Sequence, residues 1–458
     1  MRFLGQLSAL TLMSALLLTA CGSTGPGTPT DTTGATFTLA VEPDSLVGLV
    51  GERTTVQIVV TPQNGFTGEV TATLVNPPAG VTAAPVHGNV QGATTLTMQL
   101  QTGGVSGVPK LNVVVSGKGV SKTSHLAPYL YRSVAMPTDA GCDSCQLING
   151  ATTIHDGTYW MTPGPTTPTG TSPLIGVNLA TGAVQTTQYP LGVSDDHSGL
   201  TFTQNKLWMV VNNGFHTRLL GVNPKDGSVT SVPIGDDDGV IHTLDSLVAL
   251  PDQRLAFHYS RTDDYVVYTT SIGIYSPADG SINLYPWEGT LWPLTVAPDG
   301  QIWAPNYTDD GTRTTTVSLV RFNPTTHVFT SFDVGSFDSH LSSNLAITKN
   351  GDVWSVDERA STIHVLHPAS KTFDHFNFDT FSRGNFQLFA AGDAVFLRYL
   401  DLDSFSEQIV QLSAQPSGLK VAAVPTLGPN KYLSGVAVGA DGSLAYENGG
   451  KAYLLPSF

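Results

Sequence analysis

The residues best suited to chemistry in this 458-residue chain sit at comparable places in a repeating pattern. His340, Asp357 and Glu358 form the sharpest set. Two adjacent carboxylates offer the oxygen ligands a divalent cation needs, and a histidine exchanges its proton near neutral pH. Two readings stand for these three residues: loop surface or ligand contacts without chemistry, which is preferred, and a catalytic set in which His340 and Asp357 are the base and its acidic companion while Asp357 and Glu358 hold the cation. Magnesium or calcium is the cofactor such oxygens suit, although nothing else in the sequence requires one. A second set comprises Asp195, His197, His242, Asp245, Trp292, Asn306, Arg383 and Tyr399. It mixes both charges with hydrogen-bonding and aromatic groups, the repertoire of a ligand-binding surface. Cys142 and Cys145 are expected to form a disulfide, because the chain reads as exported and thiols there are oxidised. A redox C-x-x-C would open a helix that lowers the thiol pKa, and no helical periodicity follows.

Strands must hold these groups in place. Leu294 to Trp303 reads as an apolar strand, the turn Pro298-Asp299-Gly300, and a second strand opening on an aromatic. Asp-Gly between alternating apolar runs is a hairpin signal, since glycine accepts the positive φ of primed turns. Related units end at Trp160, Trp208, Ala256, Trp303, Trp354, Phe396 and Ala445, spaced by 48, 48, 47, 51, 42 and 49 residues. A period of about 47 is that of four-stranded propeller blades, so the seven units predict a seven-bladed β-propeller over residues 128–458. The seventh repeat ends at Lys451 to Pro456, one strand short. A closed ring leaves no open sheet edge, so Tyr129 to Ala135 is predicted to supply the missing strand from upstream.

In such a ring, the loops leading into the innermost strands share one mouth with the loops leaving the aromatic strands. This is what brings the chemically capable residues to a common face. The Trp markers are packing residues between blades. Asp236-Asp237-Asp238-Gly239 and Asp309-Asp310-Gly311 lack the spacing and distal Glu of a calcium loop and read as solvated turns.

Residues 36–127 show a different pattern of short alternating strands. Val56, Ile58 and Val60 share a face, as do Val70, Ala72 and Leu74, then Leu96, Met98 and Leu100, then Leu111, Val113 and Val115. About ninety residues of this kind predict a β-sandwich serving as a spacer. The run Asn64 to Val70 with Pro78 to Thr82 resembles the Ig-like modules appended to bacterial surface proteins. Residues 22–35 are Gly, Ser, Thr and Pro with little to bury, and are expected to be a flexible linker. Residues 1–21 carry Arg2, a short apolar run from Phe3 to Leu18, and Leu18-Thr19-Ala20-Cys21, which resembles the lipobox of bacterial lipoproteins. The resemblance implies lipidation at Cys21 and a membrane anchor of acyl chains. The apolar run is too short to span a bilayer, which needs ~20 residues.

Asp299-Gly300-Gln301-Ile302-Trp303, followed by a strand and the turn Phe322-Asn323-Pro324-Thr325-Thr326, resembles the seven-bladed propellers of the streptogramin (virginiamycin B) lyase group and NHL-like repeats. The resemblance covers about Tyr129 to Phe458. Lyases of that group open a lactone by elimination, with a histidine base and magnesium near acidic residues. Their blades usually carry an acid three residues after the Trp. Here that offset gives Pro163, Val211, Tyr259, Asn306, Asp357, Tyr399 and Asn448, so Asp357 alone keeps a carboxylate.

The chain as a whole is all-β and acidic, with a formal charge of −15 from 36 acids against 21 Lys and Arg, and this excludes nucleic acid as partner. The expected function is therefore that of a lipid-anchored, extracytoplasmic protein of the cell envelope, at the outer membrane or cell surface. Its propeller binds a protein, glycan or small molecule without catalysing a reaction. The alternative is a cation-dependent lyase or lactonase. If Cys21 carries the anchor, Cys21→Ser moves the protein from the detergent phase to the aqueous phase in Triton X-114 partition. Unchanged partition would remove the anchor.

Overall fold

The computed structural model describes residues 34–456 apart from 44–45, 137–150, 163–169, 192–194, 214–215, 236–240, 264–265, 292, 310–314, 338–340, 342–343, 358–360, 378–385, 402–405 and 429–432. The described chain is all-β. Its first part forms two four-stranded sheets. One contains Thr36–Glu42, Arg53–Gln63, Thr94–Gln101 and Thr82–Ala83; the other contains Val86–Val90, Gly68–Val75, Leu111–Gly117 and Val120–Leu126. Side chains alternate across a strand, so every second residue can be dry. Val56, Ile58, Val60, Leu96, Met98, Val113 and Val115 accordingly share one core, with Phe37 edge-on to Phe66 at 5.0 Å.

Seven more sheets follow among the described residues. Their innermost strands are Thr152–His155, Asp196–Thr203, Ile241–Ala249, Thr295–Val296, Ala346–Ile347, Gln387–Ala391 and Ser434–Val438. Each touches the next, and the last touches the first. An apolar cluster fills each seam of this cycle. At the seam joining seventh to first, Ala437, Ala445, Ala452 and Leu454 pack on Tyr159, Met161 and Val177. The aromatic markers each cross a seam to the following sheet: Trp160 packs with Leu207, Trp208 with Leu244, Trp303 with Val353, Trp354 with Leu388, and Phe396 with Leu444. Burying roughly 200 Å² of such a ring is worth about 5 kcal/mol before entropy is counted. Glycine on the neighbouring strand makes room for the indole. A Cβ on Gly176 or Gly221 would lie 2.7 or 2.8 Å from Trp160 or Trp208.

The hairpins at one end of the sheets are of two kinds. Asp156 and Gly157 both take positive φ (45° and 65°), as do Gln204 and Asn205, which is the primed two-residue turn the sequence suggests. At Pro298-Asp299-Gly300 only the glycine does, at 82°. Proline holds its own φ negative. That loop closes as a longer turn, with the Gly300 amide on the Ala297 carbonyl at 2.8 Å and the Ala297 amide on the Gln301 carbonyl at 2.9 Å, and residues 348–352 and 439–443 close in the same way without a proline. In the fourth sheet the inner edge is split into Thr290–Leu291 and Thr295–Val296, both paired to Ile302–Asp309. Pro293 falls in the gap of the inner edge and Pro305 between the two pairings on the facing strand, and neither has an amide hydrogen to offer.

Ring closure comes from upstream. Tyr129–Ala135 pairs antiparallel with Lys451–Leu455, setting Ser133 opposite Tyr453. This register places Tyr131 against Tyr446 instead of beside Tyr453, with ring centroids 5.7 Å apart, and Tyr446 stacks in turn on Tyr453 at 5.3 Å. The Tyr131 hydroxyl donates to the Pro425 carbonyl at 2.8 Å. Val47–Leu49 then adds parallel to Tyr129–Tyr131 as a fifth strand. The first part of the chain is thus hydrogen-bonded to the ring, not merely strung from it. Tyr131→Ala is expected to lower stability by about 3–5 kcal/mol, and Tyr131→Phe by about 1 kcal/mol. Urea unfolding followed by Trp fluorescence measures both; an alanine loss under 1 kcal/mol would show that closure does not depend on this side chain.

Candidate functional site

The predicted mouth corresponds to the end where inner strands begin and second strands finish. Polar side chains there bond one another before they could meet a ligand. Asp195 is buried, accepts from Asn213 Nδ2 at 2.9 Å, and forms an ion pair with Arg218. His242 is buried, with Nδ1 2.7 Å from the Tyr259 hydroxyl. Asn306 accepts from Trp287 Nε1 at 2.8 Å and donates to Ser318 at 3.2 Å. Arg398 is forked on Glu407 at 2.7 and 2.8 Å and donates to the Leu433 carbonyl at 2.6 Å. Such bonds also cross seams. The Asn212 amide spans the Leu244 backbone, and the Asn344 amide spans that of Leu388. A buried polar group without a partner is costly, and these groups supply one another.

Asp245 is different. It lies on the axis-lining strand Ile241–Ala249 with its side chain 56 % exposed. A bulge follows directly, with Ser246 at φ 52°. Equivalent bulges occur after Ser198, with Gly199 at φ 60°, and after Ser434, with Gly435 at φ 55°. Bulges re-aim side chains, and they recur beside functional sites. Behind Asp245 lies buried His258, Nδ1 to Oδ2 3.9 Å. The His258 Nε2 has no hydrogen-bond partner among the described residues. Burial pushes this imidazole down to about 4 and raises the Asp245 carboxyl.

Asp357 is buried at the end of Val353–Asp357, bridged through its backbone to Leu341. On the same sheet, His364 Nδ1 lies 2.7 Å from His375 Nδ1, so one ring donates to the other. Burial, then the His375 charge, lowers His364 to about 4 against the opposing pull of Asp357. His197 is also buried. Tyr399 is half-buried, its phenol pushed up to about 12 by burial and then by Asp401. His340, Glu358, Trp292, Arg383, Cys21, Cys142 and Cys145 lie outside the described residues. Among the described residues, no three His, Cys, Asp or Glu side chains come together as a metal would need. Arg218 and Glu407, which fasten Asp195 and Arg398, were missed from the sequence. Their signal was a charge within the first three residues of a third strand, as in Arg218 of His216–Val222 and Glu407 of Ser406–Gln415.

Sheets of meandering strands set in a closed cycle define the class of protein: this is a β-propeller. No protein-family model matches the chain, and no curated protein matches it. Solved structures do. A puromycin hydrolase aligns at TM-score 0.50 and 12% identity over 68% of this chain and 51% of its own. YCF48 bound to D1 peptide aligns at TM-score 0.47 and 14% identity over 71% and 96%, and the Dos1 propeller at TM-score 0.44 and 11% identity over 64% and 74%. The chain spans about half the length of the puromycin hydrolase it matches. At these identities the likeness concerns the fold alone.

The two depressed histidines make stability pH-dependent. A histidine held at about 4 in the fold and near 6.5 when unfolded takes up its proton preferentially in the unfolded chain. Each therefore stabilises the fold by roughly 3 kcal/mol above pH 6.5, and that stability is lost as pH falls toward 4. His367 adds no slope in this window. Burial lowers its pKa, but bonds to Asp352 and Asp374 outweigh that and raise it, so its contribution is complete below 6.5. Urea midpoints should decline between pH 6.5 and 4.5, and less steeply in His258→Gln and His364→Gln. Equal slopes in all three proteins would contradict the assignment.

Proposed function

We propose that the chain is an exported lipoprotein, anchored to the cell envelope through Cys21, whose β-propeller binds a protein, glycan or small-molecule ligand at the mouth end. In this reading, residues 1–21 are the signal, 22–35 the tether, 36–127 an Ig-like spacer and 128–458 a seven-bladed propeller, with Cys142 and Cys145 joined beside the ring closure. The observation that carries the binding role is Asp245. It is an accessible carboxylate on the axis-lining strand, turned by a bulge, in a setting where Asp195, His242, Asn306 and Arg398 are held rigid by mutual bonds. A frame already ordered loses little entropy on binding. The pairing of Val47–Leu49 with Tyr129–Tyr131 supports a spacer that fixes how the mouth is presented, since it removes a free hinge at that junction.

The test uses immobilised protein covering residues 21–458 against envelope extract and a glycan array, with Asp245→Asn and Tyr399→Ala as comparisons. A component retained by the parent and lost at least tenfold from the Asp245→Asn protein is expected. Retention of nothing, or equal retention by all three proteins, would overturn the binding role.

A further inference from the structure

A second place of chemical interest lies at the opposite, tight-turn end, in the seam between the fourth and fifth sheets. A cavity of about 370 Å³ opens there, lined among others by Trp303, Arg321, Lys349, Asp352, His367 and Pro368. That volume falls at the small end of ligand pockets, which run from about 300 to 1,000 Å³.

Its charges can be accounted for one at a time. His367 is clamped, Nδ1 to Asp352 at 2.7 Å and Nε2 to Asp374 at 3.1 Å. The second Asp352 oxygen accepts from Asn350 at 2.8 Å. These three charged groups are therefore occupied with one another. Asp299 accepts the Gln301 amide at 3.0 Å and closes its own turn. Arg321 and Lys349 remain. No acceptor among the described residues meets the guanidinium of Arg321 or the ammonium of Lys349.

Arg321 is also out of pattern. It stands opposite Trp303, where the corresponding third-strand residues of the other sheets are Gly176, Gly221, Ile274, Val365, Gln411 and Leu454. The ring position otherwise takes small, apolar or neutral residues. The guanidinium carbon lies 5.8 Å from the Trp303 ring centre and 5.6 Å from that of Phe332. Aromatic faces hold the cation in place while leaving its in-plane N–H groups to bond an acceptor. A fixed, partly buried guanidinium with unused donors matches the planar oxygens of a carboxylate.

We propose that this cavity binds a small organic carboxylate, its oxygens on Arg321 and Lys349 and its apolar part against Trp303 and Pro368. The site is independent of the mouth. Isothermal titration calorimetry of the 21–458 protein with benzoate, and separately with inorganic phosphate, tests it. Benzoate should bind with millimolar affinity, weakened about tenfold by Arg321→Gln, as expected for one charge-assisted bond, weakened measurably by the exposed Lys349→Gln, and unaffected by the distant Lys225→Gln. If Arg321→Gln fails to fold, the Lys349→Gln result stands alone. Absence of benzoate binding, indifference to Lys349→Gln, or phosphate binding as tightly as benzoate would each overturn the proposal.

Discussion

The antiparallel pairing of Tyr129–Ala135 with Lys451–Leu455 is the constraint on which the rest depends. An array of sheets that did not close would present two bare edges and leave the apolar faces of its first and last members wet. Bringing together segments over three hundred residues apart costs loop entropy, but that cost grows only slowly with length. The rings of Tyr131, Tyr446 and Tyr453, buried together, and the cluster of Ala437, Ala445 and Leu454 on Tyr159 repay it. The parallel addition of Val47–Leu49 couples the N-terminal sheets to the same closure, so both halves of the molecule share one junction.

Closure also explains the polar chemistry of the mouth end. Once sheets stand side by side, strand termini from neighbours meet, and their side chains must find partners away from water. Asn212 and Asn344 do so by taking the place of a missing backbone partner on the next sheet. Asp195 with Arg218 and Arg398 with Glu407 do so as ion pairs. Breaking one member of a buried pair leaves the other charge stranded, which is far more damaging than losing a surface contact. Residues that look like ligands-in-waiting are therefore also part of the scaffold, and Asp245 stands apart because a bulge turns it toward solvent.

Repetition made much of the architecture readable. Alternation in Val56 to Val60 and Leu96 to Leu100 is local, as is the recurring apolar strand, turn and aromatic, so both could be located without knowing any contact. The absent strand after Lys451 was legible as a gap in a count. The turn at Pro298-Asp299-Gly300 differs from the primed hairpin expected of Asp-Gly, and since Lys349-Asn350-Gly351 and Ala440-Asp441-Gly442 close in the same longer way without a proline, the dipeptide alone does not fix the loop length. The split inner edge of the fourth sheet was missed although Pro293, which falls in the gap itself, is a local signal of a broken strand.

From sequence alone came the repeat period, the strand order within each unit, the acidity and the short apolar run ending near Cys21, because each is set by spacing or composition along a single stretch of chain. Which polar groups are spent on one another, where Arg321 finds two aromatic faces, and how Asp245 is turned outward were decided only by tertiary structure. Those outcomes depend on distances between residues from different sheets, and such distances exist only after the ring has closed.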